Sequence, residues 1–333
     1  MFYQTFRPLT IAELDNEVVK ERLKSILTNP PIAHAFLLTG PKGTGKTTSA
    51  RLLAKALNCQ NPDTTKGYPE PCTTCDHCQA IQKGTSPDIF EIDGASHRKI
   101  ETIREIIEQI HFPPLSCQYK VYIIDEVHML TTEAFNALLK TLEEPPAHAI
   151  FILATTEFDK VPATIRSRCT LITVPAAKPE DIRRMINRIS NHTKTSLSEE
   201  VQKEIITFSD SSFRDATKLV EEMSTVDSDK KTVSQLMGGD ANTEDLLQLL
   251  IKKDRIALQD KIEALVNRGA NFTVILEQLL TKAHTRLKEK TAGAETREHL
   301  KLIKLLQQAY KEQRFTPIPS LPLELVFIEY CLS

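Results

Sequence analysis

The sequence predicts an α/β protein with a parallel, doubly wound sheet, followed by domains built only of helices. Three observations lead there. Up to about residue 175, short apolar runs alternate with helical patterns, the signature of βαβ units. The runs are nearly continuous in apolar residues, as expected of strands buried on both faces. After "VPAAKPED" no such run recurs, and the pattern turns helical and leucine-rich. A chain of 333 residues also exceeds one ordinary core and has room for two or three domains.

The elements follow in order. "HAFLLTG", "DIFEID", "KVYIIDE", "AIFILATT" and "TLITV" are the strands. "KTTSARLLAKALN", "HRKIETIREIIEQI" and "TEAFNALLKTLEE" are helices between them. Pro179, followed by Glu180 and Asp181, suits a helix's first turn, where proline and acids are favoured. From there to about residue 240 the spacing predicts three short helices. "LMGGDANTED" reads as a linker with a new helix start. Beyond it the pattern is helical, with Leu246, Leu247 and Leu250 on one face as core residues. The expected domains are residues 1–178, with an insert at 59–78, then 179–240 and 241–333.

Composition narrows the function classes. The 42 basic and 44 acidic residues give a net charge of −2, so any nucleic-acid contact must come from a local patch. No apolar run approaches the roughly 20 residues of a membrane-spanning helix. The N-terminal stretch shows no signal-peptide pattern, and the expected location is the cytoplasm. Of seven cysteines, four cluster, which in the cytoplasm favours metal over disulfides.

"GPKGTGKTT" fits the phosphate loop G-x-x-x-x-G-K-[ST], and it lies between a strand and a helix as the motif requires. Gly43 and Gly45 permit backbone conformations that turn N–H groups toward phosphate oxygens. Lys46 is expected on the β- and γ-phosphates, and Thr47 on magnesium. The candidate cradle comprises Gly40, Pro41, Lys42, Gly43, Thr44, Gly45, Lys46, Thr47 and Thr48, for a nucleotide such as ATP.

"KVYIIDEVHML" puts Asp125 and Glu126 at a strand's carboxyl end, where parallel sheets bind ligands. Asp125 is expected in the magnesium shell, and Glu126 to orient or deprotonate a water at the γ-phosphate. His128 is a neighbour in the site or a packing residue. Thr155 and Thr156, ending "ILATT", are candidates to sense the γ-phosphate or hold the water. Arg166 and Arg168 of "TIRSRC" fall at the domain's edge. Such an arginine either makes a surface ion pair or stabilises the transition state in a neighbouring subunit. Arg214 in "SFRDA" stands near a helix start, either paired with Asp215 or reaching its own domain's nucleotide.

Cys59, Cys72, Cys75 and Cys78 lie in a polar, proline-rich stretch. Four thiolates suit a closed, tetrahedral structural zinc site, and so His77 is left out of the ligand set. Such a site does no chemistry on substrate; it replaces a core that the insert is too small to build. Cys117, Cys169 and Cys331 are isolated, and Cys169 reads as packing. Arg98, Lys99 and Arg104 are either solvated charge among glutamates or contacts that track DNA phosphates.

"GPKGTGKT", "IDEVHML", "NALLKTLEEPP", "LATTE", "SRC" and "FRDA" occur in the order found in AAA+ clamp loaders, and the sequence resembles that family. The match is strong to about residue 225 and weaker over the helical remainder. The resemblance implies an AAA+ P-loop ATPase core with a zinc-binding insert, a helical lid and an all-α collar. It implies an ATPase that loads a sliding clamp onto primed DNA. Implied partners are further copies of the chain, delta and delta-prime subunits, the clamp, and primer–template DNA recognised by shape and phosphates. By motif, Lys46, Thr47, Asp125 and Glu126 serve ATP and magnesium. Thr155 or Thr156 is the first sensor, Arg214 the second, and Arg168 the finger for a neighbour's ATP. Arg7 and Pro8, in "FRP", lie close to the nucleotide. Where family members carry a Gly-Gln pair, this chain reads "LDNEVV", so no base contact is carried over there. Likewise "GASHRK" stands for a more usual asparagine-containing turn. Longer family members continue past Ser333, and the expectation is a short form or part of a longer chain. The sequence contains no evident polymerase site. Two other readings are a branch-migration motor and a non-hydrolysing, delta-prime-like scaffold. The first lacks a recognisable winged-helix or hairpin module, and the intact Lys46, Thr47, Asp125 and Glu126 weigh against the second.

Overall fold

A computed structural model describes residues 1–96, 100–225, 233, 243–267, 270–289, 294–313 and 315–332. The chain divides into two compact units, Met1–Thr225 and Val226–Ser333.

The first unit is built on a five-stranded parallel sheet ordered β2-β3-β4-β1-β5. Its strands are β1 (Ala35–Thr39), β2 (Ile89–Asp93), β3 (Lys120–Asp125), β4 (Ala149–Thr155) and β5 (Thr170–Thr173). They are the five apolar runs of the sequence. The central strands are apolar through their middles because each face buries its own set of side chains. Phe36 and Leu38 pack on one side with Val121, Ile123, Ile150 and Ile152. Leu37 packs on the other with Tyr122, Ile124, Phe151 and Leu153. The period of two thus sorts a continuous apolar run into two cores.

Helices α2 (Glu17–Thr28) and α3 (Lys46–Asn58) cover the first face, through Leu23, Leu52 and Leu53. Helices α5 (Ile100–Ile110) and α6 (Thr132–Glu143) cover the second, through Ile103, Ile106, Phe135 and Leu138. The short α1 (Phe2–Thr5) precedes them, α4 (Asp76–Lys83) begins within the cysteine insert and carries Cys78, and α7 (Ala163–Arg166) links β4 to β5. Three helices complete the unit: α8 (Pro179–Thr193), α9 (Glu199–Phe208) and α10 (Phe213–Thr225). At the start of α8, the Lys178 N–H donates to Asp181 at 3.0 Å, which closes the turn that Pro179 opens.

The second unit is helical, with helices Thr243–Lys252, Arg255–Asn267, Phe272–Glu289, Ala294–Glu312 and Leu321–Leu332 among the described residues. Leu246, Leu247 and Leu250 are fully buried in its core, with Leu258, Ile275, Leu279, Leu306 and Phe327. Residues 236–242 of the linker, together with Arg98, Lys99 and the Arg104 side chain, lie outside what is described. Among the described residues no helix is long and apolar enough to cross a membrane.

Candidate nucleotide site and four-cysteine centre

The phosphate loop joins β1 to α3. Gly45 caps α3 with φ of 100°, a left-handed conformation that costs a side chain but not glycine. Thr44 is 3% exposed, and its hydroxyl donates to the Pro41 carbonyl at 2.9 Å. Lys46 Nζ donates to the Gly40 and Pro41 carbonyls at 2.9 and 2.8 Å, so the lysine curls over its own loop. Burial holds the Lys46 ammonium below its usual pKa, against the pull of Glu126 and Asp125, with Arg214 adding to the lowering.

The β3 end meets the loop directly. Thr47 Oγ1 donates to Asp125 Oδ2 at 2.5 Å, so the two expected magnesium ligands are neighbours. A hydroxyl and a carboxylate side by side are hard oxygen donors of the kind magnesium takes. Glu126 has φ of 47°, which turns the chain sharply after the strand. Its Oε2 accepts from Thr156 Oγ1 at 3.1 Å. Thr155 is fully buried, and its hydroxyl lies 3.0 Å from His128 Nδ1.

Lys46, Thr47, Asp125 and Glu126 open onto a cavity of about 270 Å³. Loop residues 42–49 form its floor, with Asp93, Asp125 and Glu126 at the strand ends. Arg7 and Pro8 line it from the N-terminal segment, and Arg214 from α10. The Arg214 N–H points to the Gly43 carbonyl at 3.4 Å. Burial, and then Arg51, lower the pKa of Arg7. Thr155, Thr156 and Arg168 do not line the cavity. Arg168 instead donates to the Thr164 carbonyl at 2.7 Å and pairs with Glu143, its side chain 33% exposed.

Sequence reasoning missed the rest of the wall. Tyr3, Phe6, Leu14, Asp15, Asn16, Val19, Met185, Arg188, Phe213 and Thr217 complete it. The apolar ones among them read as core by their spacing, and the polar ones belong to no motif. Asp15 and Asn16 belong to "LDNEVV", from which no base contact was carried over. Asn16 caps α2 by accepting from the Val19 N–H at 3.3 Å. Asp15 pairs with Arg188 of α8 at 2.7 Å; burial pushes its pKa up, against that hydrogen bond. Arg188 also donates to the Phe6 carbonyl at 3.0 Å, tying the N-terminal segment to α8.

The four cysteine sulfurs lie within 4.8 Å of one another. Tetrahedral zinc with Zn–S bonds of ~2.3 Å needs sulfurs about 3.8 Å apart, a fit that small side-chain movements complete. The backbone prepares the site: N–H groups of Cys72, Cys75 and Cys78 point at the sulfurs of Cys59, Cys72 and Cys75 at 3.3, 3.3 and 3.4 Å. Such donors favour the thiolates that metals bind. His77 instead faces the Asn58 carbonyl at 2.9 Å. The insert is anchored by Glu70, whose Oε1 accepts from the Ala12 N–H at 3.0 Å. Away from the cluster, burial raises the Cys169 thiol to about 12, in keeping with a packing residue.

A family model described as DNA polymerase III, delta subunit, matches residues 15–178. The DNA polymerase III subunit gamma of Buchnera aphidicola (Acyrthosiphon pisum) is 35% identical, over 88% of this chain and 88% of its own length. The chain belongs to the DNA polymerase III gamma/tau family. The Bacillus subtilis subunit tau is 33% identical over 99% of this chain and 62% of its own length. Escherichia coli subunit tau is 37% identical over 84% of this chain and 44% of its own. The chain therefore spans less than two thirds of those tau relatives. In fold it is AAA+, and it resembles a single-residue variant of Thermotoga maritima RuvB, with a TM-score of 0.51 at 20% identity over 74% of this chain and 79% of that one. That likeness is one of fold alone. The gamma/tau relatives and the parallel sheet agree with the clamp-loader resemblance of the motifs.

Proposed function

We propose that this gamma/tau family member is an ATP-hydrolysing motor subunit of a bacterial clamp loader, working in the DNA polymerase III holoenzyme in the cytoplasm. One observation carries the reading: Lys46, the Thr47–Asp125 pair and Glu126 converge on one cavity with Arg7 and Arg214. A non-hydrolysing scaffold has no need of this full set.

In this reading the loop N–H groups and the α3 N-terminus cradle the phosphates, and Lys46 leaves the carbonyls of Gly40 and Pro41 for phosphate oxygens. Thr47 and Asp125 would hold magnesium, which would supply positive charge against the phosphates. Glu126 leaves Thr156 to orient the attacking water. Arg7 and Arg214 supply charge from the N-terminal segment and the lid, so nucleotide binding and lid position are coupled. Arg168, on the surface, serves the ATP of a neighbouring copy. Cys59, Cys72, Cys75 and Cys78 would hold zinc, which would give the insert the rigidity its few apolar residues cannot. Partners are further gamma/tau copies, delta, delta-prime, the sliding clamp and primer–template DNA held through phosphates and shape.

The test is ATP turnover by Lys46→Ala, Arg168→Ala and their mixture, with clamp and primed DNA. Each variant alone is expected to be nearly inactive, and the mixture to recover turnover, because one supplies the arginine and the other the phosphate loop. A mixture that stays inactive while wild type turns over refutes the shared site.

A further inference from the structure

The phosphate-loop chemistry leaves one buried titratable side chain beside Glu126 unused. His128 sits on the 3-10 turn Val127–Met129, directly after the left-handed Glu126, and its side chain is 5% exposed. Its two ring nitrogens face different partners. Nδ1 lies 3.0 Å from Thr155 Oγ1 and 3.5 Å from Glu126 Oε2. Nε2 lies 3.2 Å from Glu157 Oε1, whose other oxygen is 2.7 Å from Lys160 Nζ.

The hydrogen-bond inventory assigns the tautomer. The Glu157 carboxylate only accepts, so Nε2 carries the hydrogen. Thr155 Oγ1 already accepts from the Glu157 N–H at 3.0 Å, so its own hydrogen is available to the Nδ1 lone pair. His128 is thereby fixed from both sides, and it fixes Thr155 in turn. The same nitrogen faces the Glu126 carboxylate, so the imidazole forms one wall of the space in which that carboxylate can swing. The Thr156 hydroxyl, next in sequence to Thr155, donates to the same Glu126 Oε2 at 3.1 Å.

We propose that His128 is a positioning residue for hydrolysis: through Thr155 it holds the end of β4, and with Thr156 it sets the direction of the Glu126 carboxylate. It touches neither phosphate nor loop, and it does not line the cavity. Its effect falls on the rate of the chemical step and not on nucleotide affinity. The proposal deepens the ATPase reading and rests on it.

The experiment measures kcat and nucleotide Kd for His128→Leu and His128→Asn in the full chain, assembled with its partner subunits. Leucine keeps the volume and loses both polar contacts. Asparagine keeps a polar atom near the Nδ1 position, within reach of Thr155. A misplaced catalytic group costs on the order of 10- to 100-fold in rate. His128→Leu should lose that much kcat with Kd within about twofold of wild type, and His128→Asn should recover most of it. A His128→Leu protein that turns over at the wild-type rate overturns the proposal. So does a parallel loss of affinity that asparagine fails to rescue, since that marks a merely structural residue. If wild type binds ATP without turning it over, the ATPase reading fails, and the proposal with it. The ¹⁵N shifts of the imidazole then still report the hydrogen-bond assignment, hydrogen on Nε2 being the expected result and hydrogen on Nδ1 refuting it.

Discussion

Substituting alanine at Gly43 tests how closely the phosphate loop is built against α10. Gly43 has φ of 78°, and a Cβ there would stand 2.0 Å from Ser212 Oγ, 3.0 Å from Ser212 Cβ and 3.5 Å from Arg214 Cβ. Ser212 is 4% exposed, and its hydroxyl accepts from the Asp215 N–H at 3.2 Å in the first turn of α10. The left-handed backbone alone costs a side chain about 1–2 kcal/mol. Turning the Ser212 hydroxyl out of the way gives up a helix cap, about 1 kcal/mol more. The total is about 2–3 kcal/mol. For a unit of this size each kcal/mol lowers Tm by roughly 2–4 °C, so a drop of roughly 5–10 °C is expected in a thermal melt. Nucleotide titration should show weaker binding, because α10 carries Arg214 to the cavity. The decisive assay is a double-mutant cycle with Ser212→Ala. That variant has already lost the cap, so Gly43→Ala should cost about 1 kcal/mol less in its background. Equal costs in the two backgrounds, or a Gly43→Ala protein within about 0.5 kcal/mol of wild type by the criterion for neutral surface changes, would refute the clash.

Other expected outcomes concern separate sites. Asp88 is fully buried and accepts from the N–H groups of Leu115, Ser116 and Cys117 at 2.6, 2.8 and 2.9 Å, and from the Ser116 hydroxyl at 3.1 Å. Burial pushes its pKa up, but these donors prevail and hold it below the usual 3.8. Its stabilisation is therefore complete above the unfolded value and is lost as pH falls through the depressed folded one. Asp88→Ala orphans the N–H groups of Leu115, Ser116 and Cys117, the last of them buried, and should cost about 2–3 kcal/mol in urea unfolding, with weaker acid sensitivity below pH about 4. Wild-type stability there would contradict the account. Metal analysis of the purified chain should find one zinc per chain. Cys75→Ser should weaken zinc retention in competition with a chelator and open residues 59–78 to protease, whereas Cys117→Ser should not. Thr47→Val removes the hydroxyl beside Asp125 and should raise the magnesium concentration for half-maximal ATPase by about tenfold, equivalent to 1.4 kcal/mol. An unchanged magnesium titration would remove Thr47 from the metal site.

The sequence alone determined the five strands, the phosphate loop, Asp125 and Glu126 at a strand end, and the cysteine set. Each rests on spacing within one short stretch: the apolar runs, the Gly-Gly-Lys-Thr placement and two C-x₂-C pairs. Local chemistry fixes such features wherever they stand in the fold. Only the tertiary structure decided what encloses the site. Asp15 and Arg188 are separated by 173 positions and meet at 2.7 Å; Ser212 closes on Gly43; His128, Thr155 and Glu157 form one network from two elements. Asp15 looks like a solvated acid in sequence, and Ser212 like any helix-start serine. Their significance comes from the partner that folding brings to them, and no period or motif encodes a partner so far along the chain. Thr155 and Thr156 show the same division. The sequence marked both as candidates, and the packing gave one to His128 and the other to Glu126, two side chains that folding brings to the end of β4.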